Sequence, residues 1–367
     1  MNATASTLVE TKLDYSQPTL HPSLGDGVRV HLHPQGVPLF ITPVAQHLKT
    51  DFAAFHAWFV SHEQALEQLL LTFGALRFRG FPVTGADEFG ALLAHYPSAD
   101  MGYTGGGTPR ASLAGKVFEA TRFPKDLRIT LHQEMSYLSH FPLKVAFYCH
   151  VPAAVGGATD IGSIKRFEAE VPAELLERIR QHGVIYKRNF RDGRIAVDDW
   201  HPHLVNLHRP WQEAFFSDDP REVEQKCDSM GLEWRWLEDG SLQTDFRSAA
   251  FITHPVLGTR HMFHQAHQFN TVPTAQGSGS IDWAAYIAHY GEDKPRPTEA
   301  TLGDGTRFTA QEIMAIREAS HRAMVVEPWQ AGEVMLLDNL LCCHGRSPFE
   351  GDQRDTQVQL MGCGSHG

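Results

Sequence analysis

The sequence predicts a mainly β protein, a β-barrel or jelly roll carrying a mixed helical insertion and flanked by further helices. Three observations support this. Short apolar runs bounded by glycine, proline or polar residues recur on both sides of a mixed middle region, residues 192–323. They do not alternate regularly with helical segments, as successive βαβ units would. No internal repeat, low-complexity tract or long Gly/Ser/Pro linker divides the 367 residues, so a single domain over 1–367 is expected, and 42% hydrophobic residues suffice for its core.

In chain order, residues 1–50 carry scattered prolines and little periodicity and are expected to wrap over the surface. From Asp51 to about Thr72, Phe52, Phe55, Phe59, Ala65, Leu69 and Leu70 recur at helical spacing. Gly74 to Phe81 reads as a strand closed by glycine. Further strands are expected at Leu143 to Cys149, Val184 to Phe190, Ala249 to Pro255, Arg260 to Ala266, Glu333 to Asp338 and Gln357 to Met361. Three helices carry their own punctuation: Pro172 to Gly183, Asp219-Pro220 to Gly231, and a helix opened by Thr309 with Glu312, a capping-box pair.

Composition narrows the function. Lys plus Arg number 32 against 43 acidic residues, a formal charge of −11, with no basic stripe, which argues against nucleic acid and anionic membrane as partners. No run approaches the length of a membrane span, and the start lacks the features of a secretion signal. Five cysteines, two of them the neighbours Cys342 and Cys343, fit a reducing cytoplasm better than a disulfide framework.

The first chemical constellation is His132-Gln133-Glu134. In extended chain, residues two apart share a face, so the imidazole and carboxylate could meet one metal ion. With 22 histidines and 43 acids, chance alone supplies roughly two or three such triplets, and a surface pair is the bland alternative. Context comes from the far end, where an apolar strand runs to Asp338-Asn339 and is followed by His344-Gly345-Arg346 and Arg354. Two histidines and one carboxylate occupy half of an octahedral shell, the facial set of non-haem Fe(II) oxygenases. An arginine near the last strand could clamp a cosubstrate carboxylate.

His132-x-Glu134, Gly156-Gly157-x-Thr159, Asp338-Asn339, His344-Gly345-Arg346-x-Pro348-Phe349-x-Gly351 and Arg354 together resemble the taurine dioxygenase and clavaminate synthase-like group of Fe(II)/2-oxoglutarate-dependent oxygenases. The resemblance covers roughly Gly74 to Met361. It implies a double-stranded β-helix (jelly-roll, cupin-like) core, with Fe(II), 2-oxoglutarate and O2 as cofactors. It places His132, Glu134 and His344 on the iron, and Thr159, 27 residues after His132, and Arg354 on 2-oxoglutarate, with Arg346 part of the same signature. Tyr103 to Arg110, Glu134 to Tyr137, Trp211 to Phe215 and Phe263 to His267 are similar to the syringomycin-type hydroxylases, although His264 stands where that subgroup usually has asparagine. This implies hydroxylation of an amino acid, free or carried as an aminoacyl or peptidyl group on a carrier protein, in natural-product biosynthesis. Relatives that halogenate have a small residue at the carboxylate position, so Glu134 implies oxidation without chlorination.

Alternatives stand beside this reading. The same oxidant could desaturate or epoxidise a free small molecule. From other classes, a zinc hydrolase or a non-catalytic cupin-like binding protein could also use two histidines and a glutamate, although no His-Glu-x-x-His helix is present. The His201-His203-His208 and His261-His264-His267 clusters bring no carboxylate at matching spacing and read as structural or substrate-facing. Gly105 to Gly107 lack a following Lys-Ser or Lys-Thr, which favours a lid or turn over a phosphate loop. Cys343 is expected to pack in the barrel, and Asp160 to lie in a turn. Arg188 and Arg209, with Trp211, are candidates for substrate or partner contact, with exposed structural roles as the alternative.

Overall fold

The computed structural model describes residues 14–99, 112–114, 117–119, 124–197, 208–270, 288 and 296–366. Its largest element is a nine-stranded sheet in the order Thr19–His21, Gly25–Leu32, Leu39–Pro43, Ala75–Phe78, Val334–Asp338, Lys144–Val151, Asp355–Met361, Val117–Glu119 and Ser112–Ala114. Its central strands are buried on both faces, which is why they read as unbroken apolar runs. Alternate residues go opposite ways: Ala146, Tyr148, Val334 and Leu336 pack with Phe55, Phe59, Leu66 and Leu70 of the covering helices. Val145, Phe147, Cys149, Met335 and Leu337 point to the other side, where they meet Ile161 and Cys342.

Ile161 and Cys342 belong to a second, three-stranded sheet in the order Ile161–Ser163, Cys342–Arg346, Ile129–His132. A third sheet, Glu233–Trp236, Leu242–Ser248, Val184–Phe190 and Thr298–Leu302, shares an apolar cluster with the helices Ala173–His182, Pro220–Ser229 and Ala310–Ala323. Glycine and capping signals set these helix ends as expected. Gly183 follows His182 at φ 70°, and Thr309 and Glu312 exchange both capping-box hydrogen bonds.

The structure differs from expectation in several places. Within the stretch expected to wrap over the surface, residues 19–43 supply three strands of the main sheet, with Val28, Val30, Leu39 and Ile41 fully buried. The helix from Asp51 is two, Phe52–Ser61 and Glu63–Phe73; the His62 ring donates from Nδ1 to the Trp58 carbonyl at 2.7 Å where the chain turns. The strand expected to reach Ala266 ends at Met262, and Ala266 opens a short helix to Phe269. Asp160 is fully buried and ion-paired to Arg128, a packed anchor and not a turn residue. Among the described residues no helix is long and apolar enough to cross a membrane.

Candidate metal and cosubstrate site

The three-stranded sheet brings the two histidines together through its register. His344 is the direct cross-strand partner of His132, and the ring centroids lie 4.4 Å apart. The His132 ring donates from Nδ1 to the Thr130 carbonyl at 3.0 Å, which leaves Nε2 as the side that can accept or ligate. Phe147 of the main sheet packs on His344 at 5.1 Å, so the site opens between the two sheets.

Glu134 arrives by a different route from the one the two-residue spacing suggests. The strand stops at His132 and Glu134 sits in the turn beyond it, next to Met135 at φ 59°. Asn339 fixes that turn. Its Oδ1 accepts from the Glu134 N–H at 2.8 Å, and its Nδ2 donates to the carbonyls of Glu134 at 3.0 Å and Pro142 at 2.8 Å. The Glu134 carboxylate then lies 3.3 Å from His344 Nε2. One donor atom from each of His132, Glu134 and His344 falls within 4.8 Å of the others. Among the described residues no other group of three or more His, Cys, Asp or Glu converges in this way. Two imidazoles and a buried carboxylate at this separation are a donor set that fits Fe(II).

The second pole of the site is the segment 156–159 against 344–354. Gly157 has φ 68°, and a Cβ there would lie 2.8 Å from Ala153 Cβ and 3.1 Å from Arg354 Nε, so only glycine lets the arginine side chain pass. A Cβ on Gly345 would strike the Ile129 carbonyl, which explains the small residue beside His344. Arg354 donates from Nε to the Gly157 carbonyl at 2.9 Å and lies over the Phe349 ring at 5.5 Å. Burial, with Arg346 nearby, pushes its pKa down to about 10. Among the described residues no carboxylate lies within ion-pair distance of Arg354, so this partly buried guanidinium fits an anionic ligand. Arg346 sits over the same ring at 5.2 Å, and its Nη2 donates to the Pro124 and Leu127 carbonyls. Thr159 is buried, and its hydroxyl accepts from Trp329 Nε1 at 3.0 Å.

The remaining sequence candidates have other surroundings. The His267 ring donates from Nε2 to the Leu131 carbonyl at 3.0 Å, and burial holds its pKa well below the usual range. His261 contacts the Thr259 hydroxyl at 2.8 Å, while His264 Nε2 is buried with no hydrogen-bond partner among the described residues. These three histidines do not form a metal cluster. Cys343 is buried in the apolar interior and its thiol pKa is raised well above the usual range, as expected of a packing residue. Arg188 lies over Tyr137 at 5.6 Å and Phe190 at 4.5 Å, whereas Trp211 is a core residue and offers no surface. Tyr103 to Arg110, His201 and His203 lie outside the described residues. Asn339 and Trp329 are the site residues that sequence reasoning left without a role.

The family model for taurine catabolism dioxygenase TauD, TfdA family, matches residues 38–363. The chain is 32% identical over 307 residues to the dapdiamide synthesis protein DdaC of Enterobacter agglomerans, covering 83% of this chain and 86% of that protein. It is also 32% identical over 295 residues to a clavaminate synthase-like protein of Arabidopsis thaliana, covering 79% and 82%. Among solved structures, PvcB, described as an Fe, alpha-ketoglutarate dependent oxygenase from an isonitrile synthetic pathway, has the same fold at a TM-score of 0.50. Its sequence identity is 13%, with 94% of each chain covered.

Proposed function

The chain belongs to the taurine catabolism dioxygenase TauD, TfdA family and is a dioxygenase that uses Fe(II), 2-oxoglutarate and O2, and from that premise we propose that His132, Glu134 and His344 hold the iron. The observation that carries this assignment is the meeting of their donor atoms within 4.8 Å at the mouth between the two sheets. Thr159 and Arg354, with Arg346 beside them, form the pocket for the distal carboxylate of 2-oxoglutarate. The bound iron, with cosubstrate and oxygen, supplies an oxidant able to attack an unactivated carbon while 2-oxoglutarate is converted to succinate and carbon dioxide.

The protein's own contribution is placement. Asn339 fixes the turn that aims Glu134, and cross-strand pairing aims the two histidines. Arg354 supplies a charge that has no carboxylate within ion-pair distance among the described residues, so the cosubstrate carboxylate becomes its direct partner. The apolar residues between the sheets, Phe147 among them, keep water from the reacting centre. The paired sheets are read as a double-stranded β-helix within a single domain over 1–367, with 192–323 as the insertion beside the iron.

The substrate is an amino acid, free or tethered as an aminoacyl or peptidyl group to a carrier protein, and it is hydroxylated in a cytoplasmic natural-product pathway. The likeness to DdaC, a dapdiamide synthesis protein, and to the syringomycin-type subgroup in Phe263 to His267 supports this. The test is oxygen- and Fe(II)-dependent succinate formation, coupled to a mass-spectrometric screen of free and carrier-bound amino acids for one added oxygen. Loss of two hydrogens in place of that gain would identify a desaturase and overturn the hydroxylation assignment. Efficient turnover of free amino acids but not of their thioesters would remove the carrier protein.

A further inference from the structure

Thr159 presents its hydroxyl where the cosubstrate pocket has been placed, but a hydroxyl can greet an anion in two ways. With its hydrogen spent elsewhere, it offers only lone pairs and repels a carboxylate; with its hydrogen available, it donates. Trp329 decides between these. An indole N–H can only donate, and it lies 3.0 Å from Thr159 Oγ1, so it occupies a lone pair and leaves the hydroxyl hydrogen uncommitted. No acceptor among the described residues takes that hydrogen.

We propose that Trp329 is a positioning residue for the cosubstrate, its indole N–H setting the Thr159 hydroxyl so that the hydroxyl donates to the distal carboxylate of 2-oxoglutarate. The inference rests on the assignment of Thr159 to that carboxylate. The indole is itself held on a buried support. The Arg77 guanidinium stacks on it at 4.3 Å and donates to the carbonyls of Glu327 at 3.2 Å and Pro328 at 2.8 Å. Arg77 also pairs with fully buried Glu333 at 2.5 Å, and Glu333 accepts from the Gln330 N–H at 2.8 Å. The loop 327–333 is thus closed on both sides of Trp329, which gives the indole one orientation. A free hydroxyl rotor would have to be ordered at each binding event; this one is ordered beforehand.

Trp329→Phe keeps an aromatic face for Arg77 and removes the donor, and Trp329→Leu is a second variant without one. In the iron-loaded enzyme the KM for 2-oxoglutarate should rise about fivefold to tenfold in either variant, with kcat at saturating cosubstrate within about twofold of wild type. The same substitution in a Thr159→Val background should add nothing. With 2-oxopentanoate, the keto acid lacking the distal carboxylate, Trp329→Phe should leave KM unchanged. An unchanged KM for 2-oxoglutarate, or an equal rise in the Thr159→Val background or with 2-oxopentanoate, overturns the role of Trp329. If Thr159→Val alone leaves the 2-oxoglutarate KM unaltered, the failure lies with the Thr159 assignment.

Discussion

His132 and His344 on one side, and His264 and His267 on the other, are the same residue type in neighbouring parts of the interior, yet they meet different surroundings. The first pair lie opposite each other on adjacent antiparallel strands with a carboxylate between the sheets. The second pair lie in the loop after the strand Arg260–Met262 and in the first turn of the short helix Ala266–Phe269, where no carboxylate joins them. That helix serves the first pair. Ile129–His132 is an edge strand of the three-stranded sheet. Its Leu131 carbonyl accepts from His267, and its Thr130 carbonyl accepts from Gln268 Nε2 at 2.9 Å as well as from the His132 ring. An unpaired edge is thereby closed by side chains, and the strand that carries His132 cannot shift. A histidine's role here follows from what each ring nitrogen meets, and the number of histidines in the chain is uninformative.

The largest expected effect tests the first pair directly. His132→Ala or His344→Ala removes one of the three proposed protein donors and should abolish Fe(II)-dependent turnover, with the thermal unfolding of the metal-free protein little changed. Near wild-type activity in either variant would break the comparison at its root. Asn339→Ala sharpens it, because the ligands remain and only the turn beneath Glu134 is loosened. A fall in Fe(II) affinity of about 10- to 100-fold, measured by metal titration, is expected, as for other residues that orient a metal ligand.

Arg354→Ala comes next. Without it the distal carboxylate would be left with Arg346 alone as a charge partner, so the KM for 2-oxoglutarate should rise at least about tenfold, or about 1.4 kcal/mol. Arg346→Ala should do less, since one end of that guanidinium is already spent on the Pro124 and Leu127 carbonyls. The reverse order of effects would exchange the two arginines.

The sequence carried the residues of this site more clearly than its architecture. Strands with two buried faces, such as Val334–Asp338, and helices with their own caps, such as Ala310–Ala323, were legible because burial and capping leave local signals. The strands that build the site were not: Ile129–His132, Ile161–Ser163 and Cys342–Arg346 are short, and their pairing is set by partners far along the chain. The strand Gly25–Leu32 does alternate from Val28 onward, but glycines and charges before it hid the pattern. Asn339 and Trp329 were visible as letters only, since a role exerted on another residue's backbone or hydroxyl appears once the two are side by side.

The smallest effect at neutral pH concerns the second pair. His264 is fully buried, and desolvation pushes its pKa down from 6.5 to about 4. Above pH 6.5 it is neutral in both folded and unfolded chains and contributes no pH dependence. As pH falls from 6.5 toward about 4 the unfolded chain takes up a proton that the folded chain refuses, so stability drops across that window. By about pH 4.5 the loss from this one residue should reach about 2 to 3 kcal/mol. His267 and His366, also shifted down by burial, add losses of the same sign, so the wild-type curve alone cannot assign the effect. His264→Asn isolates it. Urea unfolding of both proteins should show the variant gaining on the wild type by about 2 to 3 kcal/mol between pH 7 and about pH 4.5, whatever their offset at pH 7. Parallel curves would mean that water or a rearranged ring already accommodates the imidazolium, and the contrast between the two histidine pairs would then rest on geometry alone.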